Sequence, residues 1–111
     1  MTLLNTVNVG GVNYRYLGAV PVGTCATPAG TQLKETAFDD SFSVEAGSIV
    51  AVKFTYANTY GDGSSTYPSI KVGNNNYPMR VASSGGYAKN GDWGNSALLL
   101  LLFDGTSMYI I

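Results

Sequence analysis

Apolar residues recur at every second position in short runs along this chain. Gly, Asn, Asp and Pro separate the runs, and helical periodicity is almost absent. Residues 7–17 show Val7 and Val9, then Val12, Tyr14 and Tyr16 after Gly10-Gly11. The stretch VPVGTCATPAGT, residues 20–31, reads as a Pro- and Gly-rich loop, and a second strand over 32–38 is ended by Asp39-Asp40-Ser41. The clearest strand is SIVAVKFTY, residues 48–56. Val50, Val52 and Phe54 share one side, Ile49, Ala51, Lys53 and Thr55 the other, and Lys53 marks the wetter face. Residues 67–72 and 77–81 flank GNNN, whose members tolerate positive φ, so the spacing predicts a hairpin. ANTYGDGSST and ASSGGYAKNGDWGNS read as long loops. Residues 97–103 and 107–111 form a last hairpin across Asp104-Gly105-Thr106. About seven strands without a strong helix predict an all-β fold, an antiparallel, jelly-roll-like β-sandwich.

The last hairpin breaks the alternation. In LLLLLF, residues 98–103, a strand places Leu98, Leu100 and Leu102 on one face and Leu99, Leu101 and Phe103 on the other. Its partner sets Met108 and Ile110 against Tyr109 and Ile111. A strand with one wet face should carry polar residues at alternate positions, so both faces here call for cover. Six apolar residues before Asp104 are far short of the roughly 20 a spanning helix needs, which excludes a membrane tail. Cover comes either from residues 1–24 or from another copy of the chain. The second reading makes Leu99, Leu101, Phe103, Tyr109 and Ile111 an oligomer interface.

Composition narrows the function classes. The 111 residues fit one domain, and a charged share of 12%, about half the usual, with 45% hydrophobic residues argues against disorder. The net charge is −1, and the six cations (Arg15, Lys34, Lys53, Lys71, Arg80, Lys89) are spread out, which disfavours nucleic-acid binding. The single cysteine, Cys25, permits no intrachain disulfide and reads as a small buried apolar residue. The N-terminus lacks the basic and long apolar regions of a signal peptide, so folding in a cytoplasm is expected.

Three separated blocks carry a family resemblance. CATPAGTQLKET leads into FSVEAGSIVAVKFTYANT. YPSIKVGNNNYPM follows, and LLLFDGTSMYII closes the chain after the tryptophan of DWG. This resembles a β-rich domain common in tailed-bacteriophage and prophage structural proteins of the tail-fibre, baseplate and head-fibre types. Gly47, Val50, Val52, Phe54, Ala57, Asn58 and Thr59 fall on its first motif. Pro68, Ile70, Val72 and Gly73 fall on the second, and Phe103, Asp104, Gly105, Thr106 and Ile110 on the last. The family's closing tryptophan is replaced by Met108 or Tyr109, and YGDGSST is an unusual insertion. The resemblance covers residues 25–111 and leaves 1–24 as an N-terminal arm or added strand. It implies a virion structural role, frequent trimerisation and other virion proteins as partners, the chain being made in a bacterial host's cytoplasm.

Candidate chemistry is sparse. Without His there is no His-based acid–base group, triad or metal ligand, and no catalytic residue, metal or cofactor is assigned. Asp39-Asp40 is the only adjacent carboxylate pair and reads as a solvated turn. Residues 61–65, GDGSS, lack the pattern and distal Glu of a calcium loop. Loop aromatics among Asn, Ser and Gly are compatible with glycan recognition, with Tyr60, Asp62, Tyr87, Trp93 and Asn95 as candidate ligand residues. The competing reading makes the rings packing anchors, and Trp93 is placed there first.

Overall fold

The computed structural model describes residues 6–9, 12–15, 20–38 and 43–111 and is all-β, with no helix among them. The expected turn at Asp39-Asp40, the turn at Gly10-Gly11 and the end of the first run at residues 16–17 lie outside the described residues. The strands are β1 (Thr6–Val9), β2 (Val12–Arg15), β3 (Val22–Cys25), β4 (Leu33–Ala37), β5 (Ile49–Phe54), β6 (Ser69–Val72), β7 (Asn75–Val81), β8 (Ala97–Phe103) and β9 (Met108–Ile110). β1 and β2 pair antiparallel in a two-stranded sheet, so the first run is two strands.

The other seven close into a barrel in the order β3-β4-β6-β7-β9-β8-β5. This corrects the expected sandwich. The β3–β4 ladder, through Thr24↔Ala37 and Cys25↔Thr36, joins what would have been two free sheet edges. It also corrects the antiparallel expectation, since β3–β5, β4–β6 and β7–β9 are parallel pairs. β3 itself lies in the stretch expected to be a loop. Val22, Gly23 and Thr24 pair with Ala51, Val52 and Lys53, so a division after residue 24 falls inside a barrel strand.

Alternation decides what fills the interior. Val50, Val52 and Phe54 of β5 point inward with Cys25, Ile70, Met79, Leu101, Phe103 and Met108, all buried in one core. Gly23 also faces inward, and the ring of Phe38 lies against it: a Cβ built there would stand 2.6 Å from the ring. Glycine is required because the ring occupies the side-chain position. The hairpin between β6 and β7 forms as expected. Val72 pairs with Asn75 around Gly73-Asn74, and Gly73 supplies φ 64°. One buried inward residue among those described is charged: Lys34 of β4, in register with Ile70, is 2% exposed.

The leucine run takes its facing from β5. Leu101 pairs with Val50 and Leu99 with Val52, which turns Leu99, Leu101 and Phe103 inward: Leu101 and Phe103 are buried in this chain's own core, and Leu99, half-buried, packs against it. The expected interface is corrected at Leu101 and Phe103, which have no surface to share. Tyr109, opposite Leu102, and Ile111, whose N–H donates to the Leu100 carbonyl at 3.1 Å, stay on the outer side. On that outer face Ile49, Ala51 and Leu102 are buried. Leu98 is 63% exposed and Leu100 46%, with Val22 at 65% and Ile111 at 48% beside them. Among the described residues no helix is long and apolar enough to cross a membrane.

Candidate functional site

Strand direction gathers three loops at one barrel end: residues 26–32 between β3 and β4, 55–68 between β5 and β6, and 82–96 between β7 and β8. Asn58 ties the last two together. Its side chain is 1% exposed, and its Nδ2 donates to the carbonyls of Tyr60 (2.9 Å) and Lys89 (2.8 Å). Its Oδ1 accepts the Tyr60 N–H at 3.2 Å. The backbone completes the join: Asn58 N–H donates to the Trp93 carbonyl, Gly91 N–H to the Asn58 carbonyl, and Asn90 N–H to the Gly61 carbonyl. Both amide hydrogens and the amide oxygen are used, as a buried polar side chain requires. Asn58 therefore has a structural reason for its place in the motif, and burial leaves it no surface for a ligand.

The candidate ligand residues all lie in the loops at this end, and most are engaged in packing or turn contacts. Trp93 is buried, tilted against Phe54 with ring centroids 4.6 Å apart, and its Nε1 donates to the Tyr56 carbonyl at 3.1 Å. It closes the barrel end over the core and offers no face to a sugar. The Tyr87 ring is stacked on Tyr67 at 4.0 Å, and the Arg80 guanidinium lies 4.1 Å from its centroid. Two groups that close over one ring must occupy opposite faces, so both faces of Tyr87 are taken. Arg80 is held in place by donating to the Gly85 carbonyl.

Asp62 is spent on its own loop. Oδ1 accepts the backbone N–H groups of Ser64, Ser65 and Thr66, and Oδ2 accepts the Ser65 hydroxyl. The backbone N–H of Thr66, then the Ser65 hydroxyl and the N–H of Ser64, hold the carboxyl well below the usual carboxylate range. These bonds fold the YGDGSST insertion into a self-capped turn, and among the described residues no group of three or more His, Cys, Asp or Glu could hold a metal. Asp104 repeats the device in the last hairpin. Burial raises its pKa, but bonds from Ser107, Thr106 and Tyr109 outweigh that and leave it lowered. Asn95 is exposed, with Oδ1 accepting the Ala57 N–H at 2.8 Å. Tyr60 is half-buried, and its backbone belongs to the Asn58 network.

A second surface feature lies where β3 and β4 splay. Their ladder stops at Cys25↔Thr36, and beyond it the Thr27 hydroxyl accepts the Glu35 N–H. The gap is an open groove of about 530 Å³ lined by Ala26, Thr27, Pro28, Thr31, Leu33 and Glu35. Sequence reasoning missed it because residues 20–31 offered no strand signal from which a splayed pair could be read. Comparison with protein-family models, with curated proteins and with solved structures finds no match to this chain, so the resemblance to phage structural domains rests on its motif residues.

Proposed function

We propose that the chain is a non-enzymatic structural domain of a bacteriophage or prophage virion, a rigid β-barrel that assembles with copies of itself. The observation that carries this reading is the open apolar row on an otherwise closed barrel. Val22 is in register with Ala51, Ala51 with Leu100, and Ile111 bonds back to Leu100, so the row crosses three strands. Leu98 extends it beside Lys53. The exposed area of Val22, Leu98, Leu100 and Ile111 sums to on the order of 400 Å², the size of the largest apolar patch on an ordinary monomer. At about 25 cal/mol per Å² its burial is worth about 10 kcal/mol, against roughly 4–15 kcal/mol of association cost. Self-association is therefore favourable only if the partner supplies a matching surface.

The self-capped loops support the same reading, because they favour rigidity over a shaped pocket. A glycan-binding role is weaker than composition suggested: Trp93 is buried, Tyr87 is covered on both faces and Asp62 is bonded within its turn. The test is the solution mass by light scattering at two concentrations. A stable multiple of 11.7 kDa is expected, three being the number the resemblance implies. A monomer at both concentrations refutes self-assembly.

A further inference from the structure

We infer that the partner of the apolar row is the β3–β4 groove of a second copy, in a head-to-tail contact. The inference rests on the self-assembly reading above and names its two complementary faces. One face is the outer side of β5 and β8, where Leu98 and Leu100 stand open beside Lys53. Lys53 is exposed and makes no ion pair among the described residues, and Thr24 and Leu98, the residues in register beside it, are uncharged. That face is apolar with one cation. The other face is the groove, where Pro28 and Leu33 offer apolar walls and Glu35 is the single charge. Glu35 is 68% exposed at its side chain, and its contact with Lys71 at 4.0 Å is a loose surface pair, free to share its carboxylate. The two faces match in kind: leucines against an open apolar groove, a lysine against a glutamate.

The topology fixes the mode of contact. The β3–β4 groove and the β5–β8 row lie two strand intervals apart in a seven-stranded barrel, about 100° around its circumference. Leu98 and Leu100 of β8 and the groove past the end of the β3–β4 ladder are unlike surfaces of one copy, so a contact between them joins two copies through different faces. Contacts of that kind are heterologous and continue from copy to copy, closing into a ring when the rotation allows.

A charge swap tests the pairing on the full chain. Lys53→Glu, Glu35→Lys and the double variant are compared with wild type by light scattering, with circular dichroism to verify folding. Both positions are exposed strand residues, so all variants should fold. Each single variant sets like charges across the contact and is expected to weaken association tenfold or more, moving the mass toward 11.7 kDa. The double variant restores opposite charges and is expected to recover the wild-type mass. If the single variants keep the wild-type mass, another face carries the assembly, and this contact is wrong while self-assembly stands. A monomeric wild type overturns both.

Discussion

Asn58 is the residue on which the loop end of the barrel turns, and its replacement gives the sharpest test of the packing argument. Asn58→Ala deletes three side-chain hydrogen bonds, to the Tyr60 carbonyl, the Lys89 carbonyl and the Tyr60 N–H. At about 1 kcal/mol net for each, the loss is about 3 kcal/mol. Water can reach part of the orphaned backbone, because Lys89 is exposed and Tyr60 half-buried, which brings the expected loss to about 2 kcal/mol. For a chain of this size that lowers the thermal midpoint by about 10 °C. Asn58→Asp should cost more at neutral pH, since its carboxylate would face two carbonyl oxygens where the amide donated. That environment raises the folded-state pKa of Asp at position 58 above its unfolded value. The folded state then binds more protons, and stability is recovered as pH falls through the raised value. Urea unfolding followed by the fluorescence of Trp93, the only tryptophan, reports on the same loop pair. If both variants unfold within about 0.5 kcal/mol of wild type, the side chain does not hold the loops together.

Gly23→Ala is expected to destabilise the barrel by about 1–3 kcal/mol, because the new methyl would enter the Phe38 ring; a thermal melt equal to wild type would count against the close approach. Leu101→Asp puts an unpaired carboxylate at a fully buried site and should abolish folding, whereas Leu100→Asp on the half-open outer face should leave a folded chain. Circular dichroism separates the two, and two equally folded proteins would overturn the assigned facing. Burial pushes the Lys34 ammonium below its ordinary pKa of 10.5, with Cys25 partly opposing the shift. The folded state therefore binds fewer protons than the unfolded between the lowered value and 10.5, and stability should rise with pH through that window. Lys34→Met should remove the rise; a variant that keeps the wild-type slope would show that another group produces it.

How much of this was legible in the sequence depends on the range of the physics involved. β5 was readable because Lys53 breaks an otherwise apolar run and so marks its outer side, and the β6–β7 turn was readable because Gly73 supplies its positive φ locally. β3 was not. Its Pro- and Gly-rich surroundings signal a loop, and Gly23 is there for a ring fifteen residues further along the chain, a contact that leaves no local trace. The choice of barrel over sandwich rests on the three parallel pairs and on the short β3–β4 ladder, none of which alternation encodes. Trp93 and Tyr87 carried the same ambiguity, since an aromatic in a glycine-rich loop serves packing or binding, and only its distant neighbours decide which.

The leucine run shows what resolves such an ambiguity. Six consecutive apolar residues contain no alternation, so nothing within β8 assigns its faces. Its partner does carry that information. Lys53 is opposite Leu98, Val52 opposite Leu99 and Val50 opposite Leu101, and residues paired across a ladder point to the same side. The outward lysine therefore dictates that Leu98 is outward too, and a slip of one residue in the β5–β8 register would drive Leu98 and Leu100 into the core and expel Leu101. Over residues 98–102 both sets are leucine, so that slip would exchange like for like until Phe103. What opposes it lies at the ends of the strand: the Asp104-capped turn fixes Phe103 against Met108, and Phe103 N–H donates to the Ser48 carbonyl at 2.9 Å. Register in this barrel is thus specified by its hairpin and its neighbour, and not by the leucines themselves.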